Sequence, residues 1–161
     1  EATNLGKIFD ESLILLEREM TKYRIHLDKQ FDDVPDAMAN GNQIQQVLLN
    51  LLINARQAMP DGGQILLKLS HDADNKMVVM VVRDSGAGIP KDKLPRIFDR
   101  FYSTKDGPDE SGKGGTGLGL SACRNIIEAH QGRIRVESSV GKGTQFTIML
   151  PVADKTPLAA A

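Results

Sequence analysis

The sequence has few of the features that characterise secreted, membrane-spanning or nucleic-acid-binding proteins. It contains one cysteine, no tryptophan and only 4% aromatic residues, and its formal net charge is −1. A single cysteine, Cys123, excludes an internal disulfide and is consistent with a reducing compartment. The longest apolar runs, VLLNLLI and MVVMVV, are far shorter than the roughly 20 residues that span a bilayer. The near-neutral charge gives no basic surface for nucleic acid, so we expect a soluble, cytoplasmic protein that binds none.

What remains is the composition of an ordinary globular domain. The chain has 161 residues, of which 40% are hydrophobic and 25% charged, enough for one domain. No secretory signal opens it, and a first residue other than Met indicates a fragment of a longer protein. We expect a single domain over residues 1–152, followed by a flexible C-terminal tail over 153–161.

The hydrophobic periodicity predicts a layered α+β fold. Apolar residues at helical spacing predict three helices, over 4–23, 42–60 and 118–132. Alternating or continuous apolar residues predict five strands, over 24–31, 64–72, 76–84, 133–138 and 144–151. Gly132 is the expected C-cap of the last helix, and KLPRIFDRFY (93–102) is a candidate for a short one. We therefore expect a two-layer α/β sandwich, with a mixed, mostly antiparallel sheet packed under three helices.

The segment GKGGTGLGLS, residues 112–121, places five glycines directly before a predicted helix. Glycine loses more backbone freedom on folding than other residues, so this cluster favours a loop that approaches a phosphate closely. Gly112, Gly114 and Gly117 satisfy the dinucleotide pattern GxGxxG, and Gly107 begins a near match to a Walker P-loop. Both motifs need a buried strand before the loop, and the preceding STKDGPDES cannot form one. The Walker match also has Gly114 where a magnesium-binding Ser or Thr should stand.

A second glycine-containing segment, RDSGAGIP, follows the predicted strand that ends near Val82. Gly86 and Gly88 would let a ligand approach the backbone closely. The Asp84 carboxylate, at the edge of an apolar pocket, would accept a hydrogen bond from an amino group such as that of adenine. Alternatively, Asp84 only caps a turn that the glycines form. These residues alone leave both interpretations open.

Amide side chains form a continuous stripe on the second predicted helix. The stripe consists of Gln43, Gln46, Asn50, Asn54 and Gln57. It is either a solvated face or one wall of a cleft, and the lack of Lys and Glu favours the cleft. Asn50 and Asn54 lie one helical turn apart, and one amide together with substrate phosphates suffices for Mg²⁺.

Four segments, in order, resemble the N, G1, F and G2 boxes of the ATP-binding catalytic domain of sensor histidine kinases. They are NLLINA, DSGAGIP, RIFDRFYSTK and GKGGTGLGLS. The closing EAHQGRIRVESSVGKGTQFTIMLP is similar to that family's C-terminal strands, so the resemblance covers about residues 5–151. NARQAM and STK resemble the nitrogen-regulatory subtype. The resemblance implies the Bergerat (GHKL) fold of gyrase-like ATPases, with ATP and Mg²⁺ as cofactors.

The resemblance also implies a role for individual residues. Asn54 would bind Mg²⁺, Asp84 would accept the adenine amino group, and Thr144 would lie near that carboxylate. The other expected ATP-binding residues are Gly86, Gly88, Ile89, Phe101, Lys105, Gly115, Thr116, Gly117, Leu118 and Gly119. The phosphates would also suit the helix N-terminus near Leu118.

The resemblance implies a mobile ATP lid over about residues 101–114. Phe98 and Phe101 would anchor this lid. Lys105 is the candidate for contact with the γ-phosphate, and Arg100 is a weaker one.

The expected activity is phosphoryl transfer to a protein histidine. Gyrase-like ATPases place a general-base Glu at the position of Asn50, and a neutral amide can orient a nucleophile but cannot take its proton. The candidate catalytic residues are Asn50, which could orient the nucleophile, and Lys105, which could contact the γ-phosphate. The alternatives are an anti-sigma-factor-type serine/threonine kinase and a nucleotide-binding scaffold without transfer activity.

The phosphoaccepting histidine should lie outside this sequence. His26 falls on a predicted strand, His71 in a predicted turn and His130 at a helix end, positions that suit structural roles. The resemblance implies a dimerisation and phosphoacceptor domain before Glu1, in a homodimeric parent of a family that includes membrane-attached members, and a response regulator downstream. The fragment would be a monomer that acts only in trans.

Overall fold

A computed structural model describes residues 1–99 and 119–153. Its helices and strands, in chain order, are β1 (Ala2–Thr3), α1 (Leu5–Lys22), β2 (Ile25–Phe31), β3 (Ala37–Met38), α2 (Gly41–Gln57), β4 (Gly63–Asp72), β5 (Met77–Asp84), α3 (Leu120–Ala129), β6 (Arg133–Ser139) and β7 (Gly143–Pro151). A 3₁₀ turn, Leu94–Arg96, follows β5. The predicted α+β sandwich, with three helices over a sheet, is confirmed.

The main sheet has five strands in the order β2-β4-β5-β7-β6. β2 pairs with β4 in parallel, and every other neighbouring pair is antiparallel, as predicted for a mixed, mostly antiparallel sheet. In the register, Asp84 of β5 lies directly opposite Thr144 of β7 and Ile65 of β4. The last residue of a central strand is thereby placed between two neighbours.

The core lies between the helices and one face of the sheet. Successive strand residues point to opposite faces, so every second residue of the central strands is buried. These buried residues are Ile65, Leu67, Leu69, Val78, Met80, Val82, Phe146, Ile148 and Leu150. Leu5 and Phe9 of α1 and Leu48 and Leu52 of α2 complete the same cluster. Each fully buried side chain of this size stabilises the fold by roughly 1.5–3 kcal/mol.

The first two helices begin with the same capping arrangement. The Asn4 side chain accepts the Lys7 N–H at 3.1 Å, and the Asn40 side chain accepts the Gln43 N–H at 3.2 Å. Each bond satisfies one of the backbone donors that a helix leaves without a partner at its start. α2 ends at Gln57, before the Pro60 expected from the sequence.

An ion pair holds the C-terminal turn of α2 against α1. The Arg56 Nε lies 3.6 Å from a carboxylate oxygen of Glu19, and its guanidinium lies 4.5 Å from the centroid of the Tyr23 ring. Arg56 is thus directed toward α1.

None of the described helices is both long and apolar enough to cross a membrane.

A two-stranded ribbon appears where the sequence predicts only a loop. β1 pairs with β3 through Ala2↔Met38 and Thr3↔Ala37, and Ala37 also bridges to Val152. Strands of two residues have too few positions to show an alternating pattern, so the local sequence does not reveal them.

The prediction that Gly132 caps α3 is wrong in its detail. The helix ends at Ala129, and Gln131, with φ 61°, takes the left-handed conformation expected of a capping glycine. Gly132 is needed for another reason, because a Cβ there would collide with the carbonyl oxygen of Met149. The glycine allows β7 to pass directly beside the end of the helix.

The polar stretch HDADNK, residues 71–76, contains the end of β4 and the turn to β5. The sequence placed His71 both in the strand over 64–72 and in the turn that follows; it lies within β4 and pairs with Val78, with its side chain exposed. Only residues 73–76 separate the two strands. The predicted short helix over 93–102 is a single 3₁₀ turn in the described part of that range, which ends at residue 99.

Candidate functional site

Asp84 is a buried carboxylate with one oxygen bonded by the protein and one available to a ligand. Its side chain is 7% exposed. Its Oδ1 accepts the Gly86 N–H at 2.8 Å and the Thr144 N–H at 3.3 Å, whereas no residue in 1–99 or 119–153 donates to Oδ2. Burial raises the pKa of the carboxyl, and these two backbone donors act in the opposite direction. A ligand that offers a hydrogen-bond donor would match Oδ2.

The loop after Asp84 is fixed between the end of α2 and the turn that joins β6 to β7. The Ala87 N–H donates to the Ala58 carbonyl at 3.3 Å, and the Gly141 N–H donates to the Ala87 carbonyl at 2.8 Å. Gly88 has φ 78°, and a Cβ there would collide with the carbonyl oxygen of Ser139. The backbone of the loop is therefore held by contacts within the protein itself.

An added methyl group is expected to destabilise the fold strongly at Gly88 and only slightly at Gly119. Gly88→Ala should lower the free energy of unfolding by about 3 kcal/mol, because it adds a left-handed backbone penalty to a collision. Gly119 has φ −61°, and no atom of residues 1–99 or 119–153 lies within 4 Å of the position of an added Cβ, so Gly119→Ala should change that energy by less than about 1 kcal/mol, the cost of replacing Gly by Ala at an N-cap. Urea unfolding of the two variants measures the difference, and equal stabilities would contradict the structure.

The amide stripe on α2 is recessed in the middle and exposed at its ends. Gln43 and Gln57 are exposed and Asn54 is half-buried, whereas Asn50 is only 8% exposed. Asn54 lies one turn before Ala58, whose carbonyl accepts the N–H of the loop after Asp84. Asn54 is therefore at the same end of α2 as that loop. A solvated face explains the exposure of the two ends of the stripe but not the burial of Asn50.

Asn50 contacts the first turn of α3. Its Nδ2 donates to the Sγ of Cys123 at 3.1 Å, a contact between residues 73 positions apart. Cys123 is 2% exposed and lies in the core. Burial raises the pKa of its thiol to about 11, with the Asn50 bond acting in the opposite direction. The sequence identified both residues separately and gave no sign that they touch.

Cys123 should be unreactive while the domain is folded. With a pKa of about 11, only about one thiol in ten thousand is ionised at pH 7, and the thiolate is the nucleophile. We expect iodoacetamide to alkylate the native domain at least about 100-fold more slowly than the urea-unfolded chain. Equal rates, followed by mass spectrometry, would show that the thiol is accessible and contradict the burial.

The N-terminus of α3 has no side-chain cap among the described residues. Gly119 is the N-cap, and it provides no side chain to the first-turn N–H groups. Such groups carry a partial positive charge that favours phosphate. The helix begins at Leu120, two residues later than predicted.

Phe98 is half-buried and packs against the core. Its ring meets the Phe146 ring edge-on at 6.4 Å, and the guanidinium of Arg124 lies 5.6 Å from its centroid. Phe146 pairs with Val82, two residues before Asp84. The chain that leads to the predicted lid is therefore anchored next to the candidate site, which supports the role predicted for Phe98.

Several predicted site residues lie outside the described part of the chain. They are Arg100, Phe101, Lys105, Gly115, Thr116, Gly117 and Leu118, together with the whole predicted lid over 101–114. Their roles remain predictions.

Thr144, Ile89 and an unpredicted residue, Ser138, come together beside Asp84. Thr144 is 6% exposed, and its Oγ1 lies 2.8 Å from the Oγ of Ser138. The same Ser138 oxygen accepts the N–H of the half-buried Ile89 at 2.7 Å. The alternation along RIRVES places Ser138 on the same strand face as Ile134 and Val136, which distinguishes it from Ser139, but nothing in the sequence indicates which groups it contacts.

The sequence matches a known family over residues 39–154, the one described as "Histidine kinase-, DNA gyrase B-, and HSP90-like ATPase". The chain belongs to this family. It is 40% identical over 154 residues to sporulation kinase E of Bacillus subtilis and 38% identical over 153 residues to the sensor histidine kinase ZraS of Escherichia coli. Each alignment covers 94% of this chain, but only 20% and 31% of the respective relatives.

Solved structures identify which part of a histidine kinase the chain matches. The nucleotide-free catalytic domain of the histidine kinase ThkA matches with a TM-score of 0.81 and 32% identity over 94% of both chains. ThkA in complex with the response regulator TrrA matches with a TM-score of 0.78 and 30% identity, over 95% of this chain and 42% of that one. The chain is a histidine kinase catalytic domain in sequence and fold, and the family implies the use of ATP. The nitrogen-regulatory subtype remains a prediction.

Proposed function

We propose that this domain binds Mg-ATP and transfers the γ-phosphoryl group to a histidine on a separate dimerisation and phosphoacceptor domain. The observation that carries the proposal is the buried Asp84, with Oδ1 bonded by the backbone and Oδ2 left for a ligand. The exocyclic amino group of adenine is a donor of the required kind. Thr144 lies directly opposite Asp84, and the loop with Gly86 and Gly88 adjoins both.

Magnesium would be held by Asn54 together with the phosphates. The half-buried Asn54 lies at the end of α2 that meets the loop after Asp84, and its amide oxygen is a hard, neutral ligand. When bound, Mg²⁺ would neutralise phosphate charge as the leaving group departs. The phosphates would also be favoured at the N-terminus of α3, where Gly119 supplies no capping side chain.

The transfer step needs a nucleophile from another domain. A bond forms between a nitrogen of the acceptor imidazole and the γ-phosphorus, while the bond to the bridging oxygen breaks and its electron pair leaves with ADP. Asn50 is neutral and cannot serve as a general base, so we expect slow hydrolysis when no acceptor is present. Lys105 is proposed to contact the γ-phosphate.

The parent protein would be longer than this chain. We propose that it is a homodimer that phosphorylates a response regulator, because ThkA was solved in complex with its response regulator and the curated relatives extend well beyond the matched region. A cytoplasmic location for the domain also belongs to this proposal.

The stability of the phosphorylated product tests the function. The domain is incubated with γ-labelled ATP and the phosphoacceptor segment of its parent, and the labelled product is exposed to acid and to base. A phosphohistidine is lost in acid and survives base, whereas a phosphoserine survives acid. Acid-stable label would favour the serine/threonine kinase. Nucleotide binding without any label would favour the scaffold.

A further inference from the structure

One hydroxyl group, that of Ser138, connects three backbone segments around the candidate nucleotide site. Its Oγ lies 2.7 Å from the nitrogen of Ile89, 2.9 Å from the carbonyl oxygen of Gly143 and 2.8 Å from the Oγ1 of Thr144. Ile89 belongs to the loop that follows Asp84, whereas Gly143 and Thr144 begin β7. A side chain near the end of β6 thus contacts both sides of the pocket.

Only one arrangement of the hydroxyl hydrogens satisfies all three contacts. The Ile89 N–H can only donate, so it donates to Ser138, and the Gly143 carbonyl can only accept, so it takes the single hydrogen of Ser138. The Thr144 hydroxyl must then donate its own hydrogen to Ser138. Thr144 Oγ1 is left with lone pairs alone, so it can only accept from a ligand.

We infer that Ser138 is a positioning residue that fixes the Thr144 hydroxyl as an acceptor, and so helps the site choose a purine with an amino group over one with an oxo group at the same position. The inference rests on the proposed function, in which Asp84 accepts from the base. The Thr144 N–H donates to Asp84 Oδ1 at 3.3 Å and the two residues are paired across β5 and β7, so both line the same end of the sheet. An amino group offers hydrogens to such a pair, whereas an oxo group offers only lone pairs and leaves the acceptors unpaired.

The test is the displacement of a fluorescent ATP analogue by ATP and by inosine triphosphate (ITP), which carries an oxo group in place of the amino group. Ser138→Ala should weaken ATP binding about tenfold, because it disorders Thr144 and leaves the Ile89 N–H unpaired. ITP should lose less than about threefold, because the released Thr144 hydroxyl can donate to the oxo group. The ratio of ATP to ITP affinity should therefore narrow.

Three further single variants and one double variant separate this effect from a loss of structure. Ser139→Ala is the matched control, since Ser139 is exposed and has no side-chain hydrogen bond among the described residues, and it should leave both affinities unchanged. Ser138→Thr retains the hydroxyl and should keep the wild-type ratio. Thr144→Val has nearly the same shape as threonine without a hydroxyl, so adding Ser138→Ala to it should not change the ratio further.

The outcomes distinguish this inference from the proposed function. Equal weakening of ATP and ITP binding by Ser138→Ala, or no weakening of either, would overturn the inference, because the loss of an oriented Thr144 hydroxyl should affect the two bases unequally. If Ser138→Ala does not fold, Thr144→Val alone must narrow the ratio, and an unchanged ratio overturns the inference. A wild-type domain that fails to bind the fluorescent ATP analogue would instead contradict the proposed function.

Discussion

Asp84→Asn should weaken binding of a non-hydrolysable ATP analogue by about 100-fold or more, roughly 3 kcal/mol. The Asn side-chain oxygen can still accept the N–H groups of Gly86 and Thr144, so the loop should keep its conformation. Its amide nitrogen then takes the place of Oδ2 and presents hydrogens where the amino group of the base also presents hydrogens. The variant loses a charge-assisted bond and gains two facing donors. Calorimetric titration measures the change in affinity.

The same substitution should not weaken the ligand-free fold. Burial raises the folded-state pKa of Asp84 above its unfolded value, so protonation favours the folded state. The stabilisation from this group is present below the ordinary pKa of 3.8 and is lost as the pH rises through the raised value. At neutral pH the ionised carboxylate therefore opposes folding, and Asp84→Asn should hold or raise the Tm. A lower Tm with unchanged ATP binding would contradict the site.

Acidification should weaken nucleotide binding at a higher pH than it would if Asp84 had the pKa of a solvent-exposed aspartate. Because the pKa of Asp84 in the free domain is raised, protonation removes the charged acceptor at a higher pH than for a solvent-exposed carboxyl. We expect the affinity of the wild-type domain for ATP to decline on the acid side, whereas the weak affinity of Asp84→Asn should not depend on this titration.

Asn54→Ala should reduce phosphoryl transfer by about 100- to 1,000-fold, the range seen when an electrostatic contact to developing charge is removed. The loss should arise through Mg²⁺, because the amide oxygen is the ligand that the protein contributes in this account. The rate measured against magnesium concentration should accordingly shift to higher metal concentrations. Transfer to the acceptor domain, followed with γ-labelled ATP, gives both the rate and its metal dependence.

Gln57→Ala is the matched control for Asn54→Ala. Gln57 lies in the same amide stripe, one turn further along α2, but its side chain is exposed. Its removal should leave both the rate and the metal dependence unchanged. A full rate in Asn54→Ala, or a reduced rate with the wild-type dependence on magnesium, would refute the magnesium assignment.

The sequence predicted those parts of the fold that leave a local periodic signal. α1 was predicted from Asn4 to Tyr23, and these two residues are its caps. The central strands could also be predicted from the sequence, because their buried positions alternate with more exposed ones. The β1–β3 ribbon left no such signal, since two paired residues on each strand show no period and the pairing joins segments some 35 residues apart.

In the candidate site, too, the sequence predicted the residues that stand in a local motif and missed contacts that form only in the folded structure. Asp84 and Asn54 could be proposed because each stands in a motif with its own chemistry. Asn50 was expected to face the cleft, and only the fold shows that its amide meets Cys123 of α3. Ser138 was missed because its role depends on three partners that come together only in three dimensions, one of them 49 residues away.

The most direct test of the account is a calorimetric titration of the wild-type domain with a non-hydrolysable ATP analogue, with and without magnesium. We predict one site per domain, with binding that tightens when magnesium is added. Absence of binding under both conditions would contradict the central claim, because Asp84 and the glycine-containing loop would then not form an ATP-binding site.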